Sequence, residues 1–142
     1  MLSLARQKVG NAVVQVQQAD LFQWQPRQQY DLVFFANWLS HVPPQRLDPF
    51  LGTVARAVRP GGSLAMVDQY APMPEDREII VQKEEGAIYA KRSLLNGQTF
   101  LIVKVFYDLQ SIENLLDALD FTVTVHKLDD IFFFLQTRRK AP

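Results

Sequence analysis

Cysteine is absent from the 142-residue chain, which excludes disulfide cross-links, thiolate nucleophiles and cysteine-bound metals. An excess of charge of one sign is also missing. Fifteen Lys and Arg balance fifteen Asp and Glu, so the sequence carries no electrostatic signature of a nucleic-acid or anionic-membrane binder. No apolar run approaches the roughly 18 residues that span a bilayer. Arg6, Gln7 and Lys8 interrupt the beginning before a signal-peptide core can form. With no targeting or spanning segment, the expected setting is the cytoplasm. No G-x-G-x-x-G occurs, which removes the main support for a nicotinamide-binding sheet. No group of His and carboxylate residues has metal-ligand spacing.

What is present is a globular composition, 48% hydrophobic and 21% charged, in a length that suits one domain with a real core. The most informative stretch runs from Tyr30 to Asp68. Asp31 to Ala36 is continuously apolar after its first residue, as in a central strand covered on both faces. Pro43-Pro44 opens a helix, since proline is tolerated in the first turn. Leu47, Phe50, Leu51, Val54, Ala55 and Val58 form one stripe at i, i+3, i+4, i+7, i+8 and i+11. Pro60-Gly61-Gly62 is the expected stop, and Ser63 to Val67 the next buried strand. A strand–helix–strand unit of this kind builds a parallel sheet.

The flanks extend the pattern. Met1 to Val9 reads as the end of a helix stopped at Gly10-Asn11. Val14 and Val16 alternate with Gln15 and Gln17, which predicts an edge strand over Val13 to Ala19. Gln69 to Glu85 is polar with two prolines and reads as a loop with room for a short helix. Ile88 to Tyr107 holds two extended runs joined at Asn96-Gly97, a dipeptide that favours a type I′ hairpin. Asp108 is placed to cap a helix carrying Ile112, Leu115, Leu116 and Leu119. Phe121 to His126 and Ile131 to Thr137, joined across Leu128-Asp129-Asp130, predict an antiparallel pair. Arg138-Arg139-Lys140 reads as a solvated tail, and His126 as structural.

Five segments, QADLF (Gln18 to Phe22), YDLVFFANWLSHVP (Tyr30 to Pro43), RAVRPGGSLAMVD (Arg56 to Asp68), RSLLNGQTFLIVKVFY (Arg92 to Tyr107) and FFFLQTRR (Phe132 to Arg139), make the chain resemble the class I S-adenosylmethionine-dependent methyltransferases, in particular their bacterial small-molecule branch. The resemblance implies an α/β fold. This would be a partial Rossmann-like sheet, mostly parallel, with an antiparallel C-terminal hairpin and an inserted β-hairpin cover. Family members hold the cofactor's methionine end with a Gly-rich loop after their first strand, and its ribose with an acid ending the second. Both are missing here. The resemblance therefore implies one methyltransferase-like domain over 1–142 that lacks the first strand–helix–strand unit, with Met1 an internal methionine of a longer relative.

Site residues follow from the same resemblance. Asp20 and Leu21 would read the adenine edge of S-adenosyl-L-methionine, the carboxylate accepting from the exocyclic amine; from spacing alone Asp20 equally suits a loop cap. Ala36 and Asn37 would line the cofactor. Trp38, His41, Arg92, Lys104 and Tyr107 would face a small-molecule methyl acceptor. His41 is the candidate general base, since its ordinary pKa lies near neutrality; packing and helix capping are the competing roles. Asp68 ends a strand and would face the cleft or cap the loop after it. The implied activity is methyl transfer to an O, N or C atom, weak or absent in this chain alone. The alternative is a non-catalytic fragment or subunit that completes its sheet with a partner, a second copy or a strand-swapped homodimer.

Overall fold

A computed structural model describes residues 14–74, 80–84 and 87–141, with Ser3, Gln7 and Lys8 near the start. Its framework begins with strand β1 (Tyr30–Ala36), helix α1 (Pro44–Ala57) and strand β2 (Val58–Gln69). β1 and β2 pair in parallel, Val33 opposite Leu64 and Phe35 opposite Met66. Pro44 opens α1, where a missing backbone N–H costs nothing. The stripe behaves as its spacing predicts: Leu47, Phe50, Leu51, Val54 and Ala55 are all buried. The helix nevertheless stops at Ala57, and Val58 is already extended, before Pro60-Gly61-Gly62 is reached. The Arg139 guanidinium supplies a reason, because it donates to the carbonyls of Ala55 (2.7 Å) and Val58 at the helix end, the former also accepting the Val58 amide. Gly62 then sits where chains cross closely. A Cβ there would lie 2.9 Å from the Arg59 carbonyl oxygen and 3.0 Å from that of Asp31. This crossing spans a register irregularity between Tyr30 and Leu32, bridged by the Arg59–Asp31 ion pair.

After helix α2 (Leu109–Ala118) come strands β6 (Phe121–Lys127) and β7 (Phe132–Arg139), which complete a four-stranded sheet of order β1-β2-β7-β6. β7 runs antiparallel to both β2 and β6, giving the expected C-terminal hairpin in a mixed α/β sheet. Asp108 caps α2 as expected, its carboxylate accepting from the Ser111 amide at 2.9 Å. In the basic tail Arg138 and Lys140 are exposed as its composition suggests, but the tail is tied down. Arg139 is spent on α1, and Lys140 donates its amide to the Asp120 carbonyl and its ammonium to Asp117, both at 2.8 Å. α1 and α2 pack on one face of the sheet, enclosing a core of Leu51, Leu64, Met66, Ile112, Leu116, Phe121, Phe133 and Leu135.

β3 (Ile80–Glu84), β4 (Ala87–Ser93) and β5 (Thr99–Lys104) form a separate antiparallel sheet. β3 falls inside the polar segment read as a loop, and pairing with β4 is what makes it a strand. The β4–β5 turn is not type I′, which would need positive φ at both Asn96 and Gly97; of the two only Gly97 is left-handed, at φ 82°. Leu94 accepts from the Gly97 amide and donates to the Gln98 carbonyl, the pattern of a three-residue turn with a glycine bulge.

Two strand expectations fail at the other end of the sheet. Residues 14–20 form no strand, and Val14 stands 52% exposed. The Val–Gln alternation is locally suitable, but a strand is a pairing, and β1 pairs only with β2 among the described residues. For the same reason Asp31–Ala36 is an edge strand and not a central one, with Leu32 56% and Phe34 58% exposed. Ser3, Gln7 and Lys8 are helical; the rest of the expected helix Met1 to Val9, with its Gly10-Asn11 stop, lies outside the described residues. Among the described residues no helix is long and apolar enough to cross a membrane.

Candidate functional site

Ligands of open α/β sheets bind beyond the C-terminal strand ends. Here those are the ends of β1 and β2, where the chain makes the bend Asn37 to Val42. Asn37 leaves β1 with φ 51°, a left-handed backbone that asparagine tolerates better than most residues, and its amide donates to the Val67 carbonyl at 2.9 Å. Leu39–His41 is one 3-10 turn in which Leu39 and Ser40 are buried. Ala36 and Asn37, the residues expected to line the cofactor, are exposed at the mouth.

Both sheets hold this bend. From β2, the buried Asp68 carboxylate accepts from the Ser40 amide at 3.1 Å and from the Gln69 amide at 2.8 Å. From the hairpin side, the Val105 amide donates to the Ser40 carbonyl at 2.7 Å. The Lys104 ammonium donates to the Ser40 hydroxyl at 3.0 Å, and the Tyr107 hydroxyl to the Val42 carbonyl at 2.7 Å. Burial, and secondarily the negative charge of Asp48, pushes the Tyr107 phenol up to about 12, so it remains a donor at ordinary pH. His41 Nδ1 lies 2.7 Å from the Val103 carbonyl. A carbonyl only accepts, so Nδ1 carries a proton and the neutral ring keeps its lone pair on Nε2.

Trp38 turns into an aromatic cluster, 5.9 Å from the Phe22 ring and 6.5 Å from Phe50. Its indole Nε1 is buried without a hydrogen-bond partner among the described residues, a state that costs about 1–3 kcal/mol. Through Phe22 this cluster tethers the Asp20–Leu21 turn to the bend. Asp20 is exposed and accepts from the Phe22 amide and the Gln23 side chain, each at 2.9 Å. The loop-capping role is thus realised, while a carboxylate with two bonds retains further acceptor sites.

Ala36, Asn37, Trp38, His41, Lys104 and Tyr107 are therefore gathered at one bend, and the Asp20–Leu21 turn is joined to it through Phe22. Arg92 is not. It pairs with Phe100 near the hairpin tip, four residues from Ile88, the partner of Lys104, or about 13 Å along the strand. His126 lies outside the group too, stacked on Phe134 at the far strands. A cleft of about 520 Å³ between the loop after Asp20 and α1 includes Leu21 and Phe22 but not Asn37, His41 or Tyr107. Sequence reasoning passed over Ser40, whose three polar groups are all engaged, and Phe22. The only local signal for Ser40 was a hydroxyl inside the otherwise apolar W-L-S-H-V-P.

Comparisons with known proteins bear on the fold and the family. The family described as a methyltransferase domain matches residues 1–62. The structure of the DhpI–SAH complex superposes with a TM-score of 0.75 at 34% identity, covering 100% of this chain and 62% of that one. A DhpI–SAM–HEP complex gives 0.70 at 36% identity, covering 86% and 56%. An S-adenosylmethionine-dependent methyltransferase from Mesorhizobium loti gives 0.68 at 16% identity, covering 98% and 76%, a likeness of fold. No curated protein sequence matches. The chain thus spans about three-fifths of the DhpI structures it matches. A partial Rossmann-like sheet, an antiparallel terminal hairpin and this identity over the whole chain lead to one family: the chain belongs to the class I S-adenosylmethionine-dependent methyltransferases.

Proposed function

We propose that the chain binds S-adenosyl-L-methionine at the C-terminal ends of β1 and β2 and directs its methyl group to an O, N or C atom of a small-molecule acceptor. The observation that carries this reading is the 34% identity to the DhpI–SAH complex over the whole chain, supported by a bend at the ends of β1 and β2 that brings Asn37, Trp38 and His41 together. The exposed Asp20 carboxylate has acceptor capacity left for an exocyclic amine, and Ala36 and Asn37 are themselves exposed at the end of β1, so these residues fit the cofactor. When bound, the cofactor supplies an electrophilic methyl group on a sulfonium that is already a good leaving group. Trp38 walls the site, and Nε2 of His41 is the atom able to take a proton from an acceptor hydroxyl or amine. Lys104 and Tyr107 serve the acceptor indirectly, because their polar atoms already hold the bend. Alignment accounts for much of the rate in such a transfer.

Affinity and turnover of this chain alone are expected to be weak, since no Gly-rich loop exists in the sequence to hold the methionine end. Calorimetry with the cofactor tests both parts. Saturable binding weaker than micromolar, lost in Asp20→Ala, is the expected result. Micromolar affinity would contradict the weakness, and no saturable binding would contradict the site.

The edge of β1, unpaired among the described residues, favours a second reading, in which a partner or second copy completes the sheet. Light scattering at increasing concentration decides it: a mass doubling supports association, and a monomer throughout argues against it.

A further inference from the structure

The bend rests on two oppositely charged side chains that solvent hardly reaches. Asp68 is 1% exposed, Lys104 5% and Ser40, between them, 1%. The Asp68 carboxylate takes the Ser40 amide, the Lys104 ammonium takes its hydroxyl, and the Val105 amide takes its carbonyl. Lys104 also lies over the Phe106 ring at 5.5 Å. Burying two charges is costly, and apolar residues would join two sheets at least as firmly. What the polar arrangement adds is a fixed position and direction for one residue, since each bond has its own geometry. Ser40 stands three residues after Asn37 and directly before His41, so fixing it fixes both.

We propose that Asp68 and Lys104 are positioning residues which, through Ser40, set the His41 ring and the Asn37 mouth relative to the two sheets. The inference rests on the reading of this bend as the site. It assigns Lys104 to the frame and not to the acceptor, and gives Ser40 and Asp68 a role in site geometry. His41 reports on it directly, because its Nδ1–H bond to the Val103 carbonyl survives only while the turn keeps its place against β5.

The test is nitrogen NMR of the His41 ring at a pH where it is neutral, in the wild type and in Ser40→Ala, Ser40→Thr and Lys104→Met, with the β6–β7 amide spectrum as the folding control. The wild type should show two well-separated ring nitrogens, the signature of one Nδ1–H tautomer. Ser40→Ala and Lys104→Met should draw them together as tautomers mix, whereas Ser40→Thr, which restores the hydroxyl, should keep them apart. Ser40→Ala decides the matter if Lys104→Met does not fold. A folded Ser40→Ala with an unchanged His41 spectrum would overturn the proposal, since a merely structural role predicts lower stability and nothing more. No cofactor is needed, so a chain that binds none can still pass this test while failing the functional reading.

Discussion

The two faces of the four-stranded sheet are built from the same four strands and behave differently. On one face Leu64, Met66, Phe133 and Leu135 are at most 2% exposed beneath α1 and α2. On the other, Leu32 and Phe34 are more than half exposed, and the surface runs on through Ala65 and Gln136 to Thr124. Both faces are apolar at the β1 end, so composition does not separate them. Only one has a helical layer among the described residues, and sheets with parallel crossovers ordinarily carry helices on both faces. Stability should accordingly come from one face, leaving the other available for chemistry or association.

The largest expected effect is on the covered face. Phe133→Ala should cost about 3–5 kcal/mol in urea unfolding, as deletion of a buried aromatic ring does; a loss below about 1 kcal/mol would mean the core is not closed there. Arg139→Ala removes two charge-assisted bonds to the end of α1 and should cost about 1.5–3 kcal/mol, again by urea unfolding.

Tyr107→Phe should cost less, about 1 kcal/mol, and should change the alkaline limb. The folded-state pKa of Tyr107 is raised from 10.0 to about 12, so its stabilisation is complete below pH 10 and fades as pH rises towards 12. Thermal unfolding between pH 9 and 12 should show that decline in the wild type and a shallower one in Tyr107→Phe. The smallest effect belongs to the open face: Phe34→Ser should alter stability by no more than about 0.5 kcal/mol. A loss as large as that of Phe133→Ala would abolish the contrast between the faces.

Much of this molecule is legible in the sequence where the signal is local. The α1 stripe, the Asp108 cap, the glycine at the β4–β5 turn and the alternation of the C-terminal hairpin each depend on neighbours a few residues away. What was not legible depends on partners far along the chain. Residues 14–20 look like a strand but pair with nothing among the described residues, while Ile80–Glu84 looks like a loop and is made a strand by β4. Asp31–Ala36 has the composition of a central strand, yet its place at an edge is a property of the sheet. The tail arginine that caps a helix 81 and 84 residues earlier has no sequence signature. At the site, candidate residues could be named in advance. The commitment of Lys104 and Tyr107 to the bend could not, because a lysine or tyrosine on a hairpin looks the same whether it faces solvent, a ligand or a buried serine.

On the function proposed above, the cofactor meets this chain at the ends of β1 and β2. Titrating S-adenosyl-L-methionine into isotope-labelled protein and following backbone amides tests it most directly. Saturable shifts at Asp20, Leu21, Ala36 and Asn37, with β6 unmoved, are the expected result. Saturable shifts confined to the cleft between α1 and the loop after Asp20, around Gln25 and Arg56, or none at any concentration reached, would contradict it.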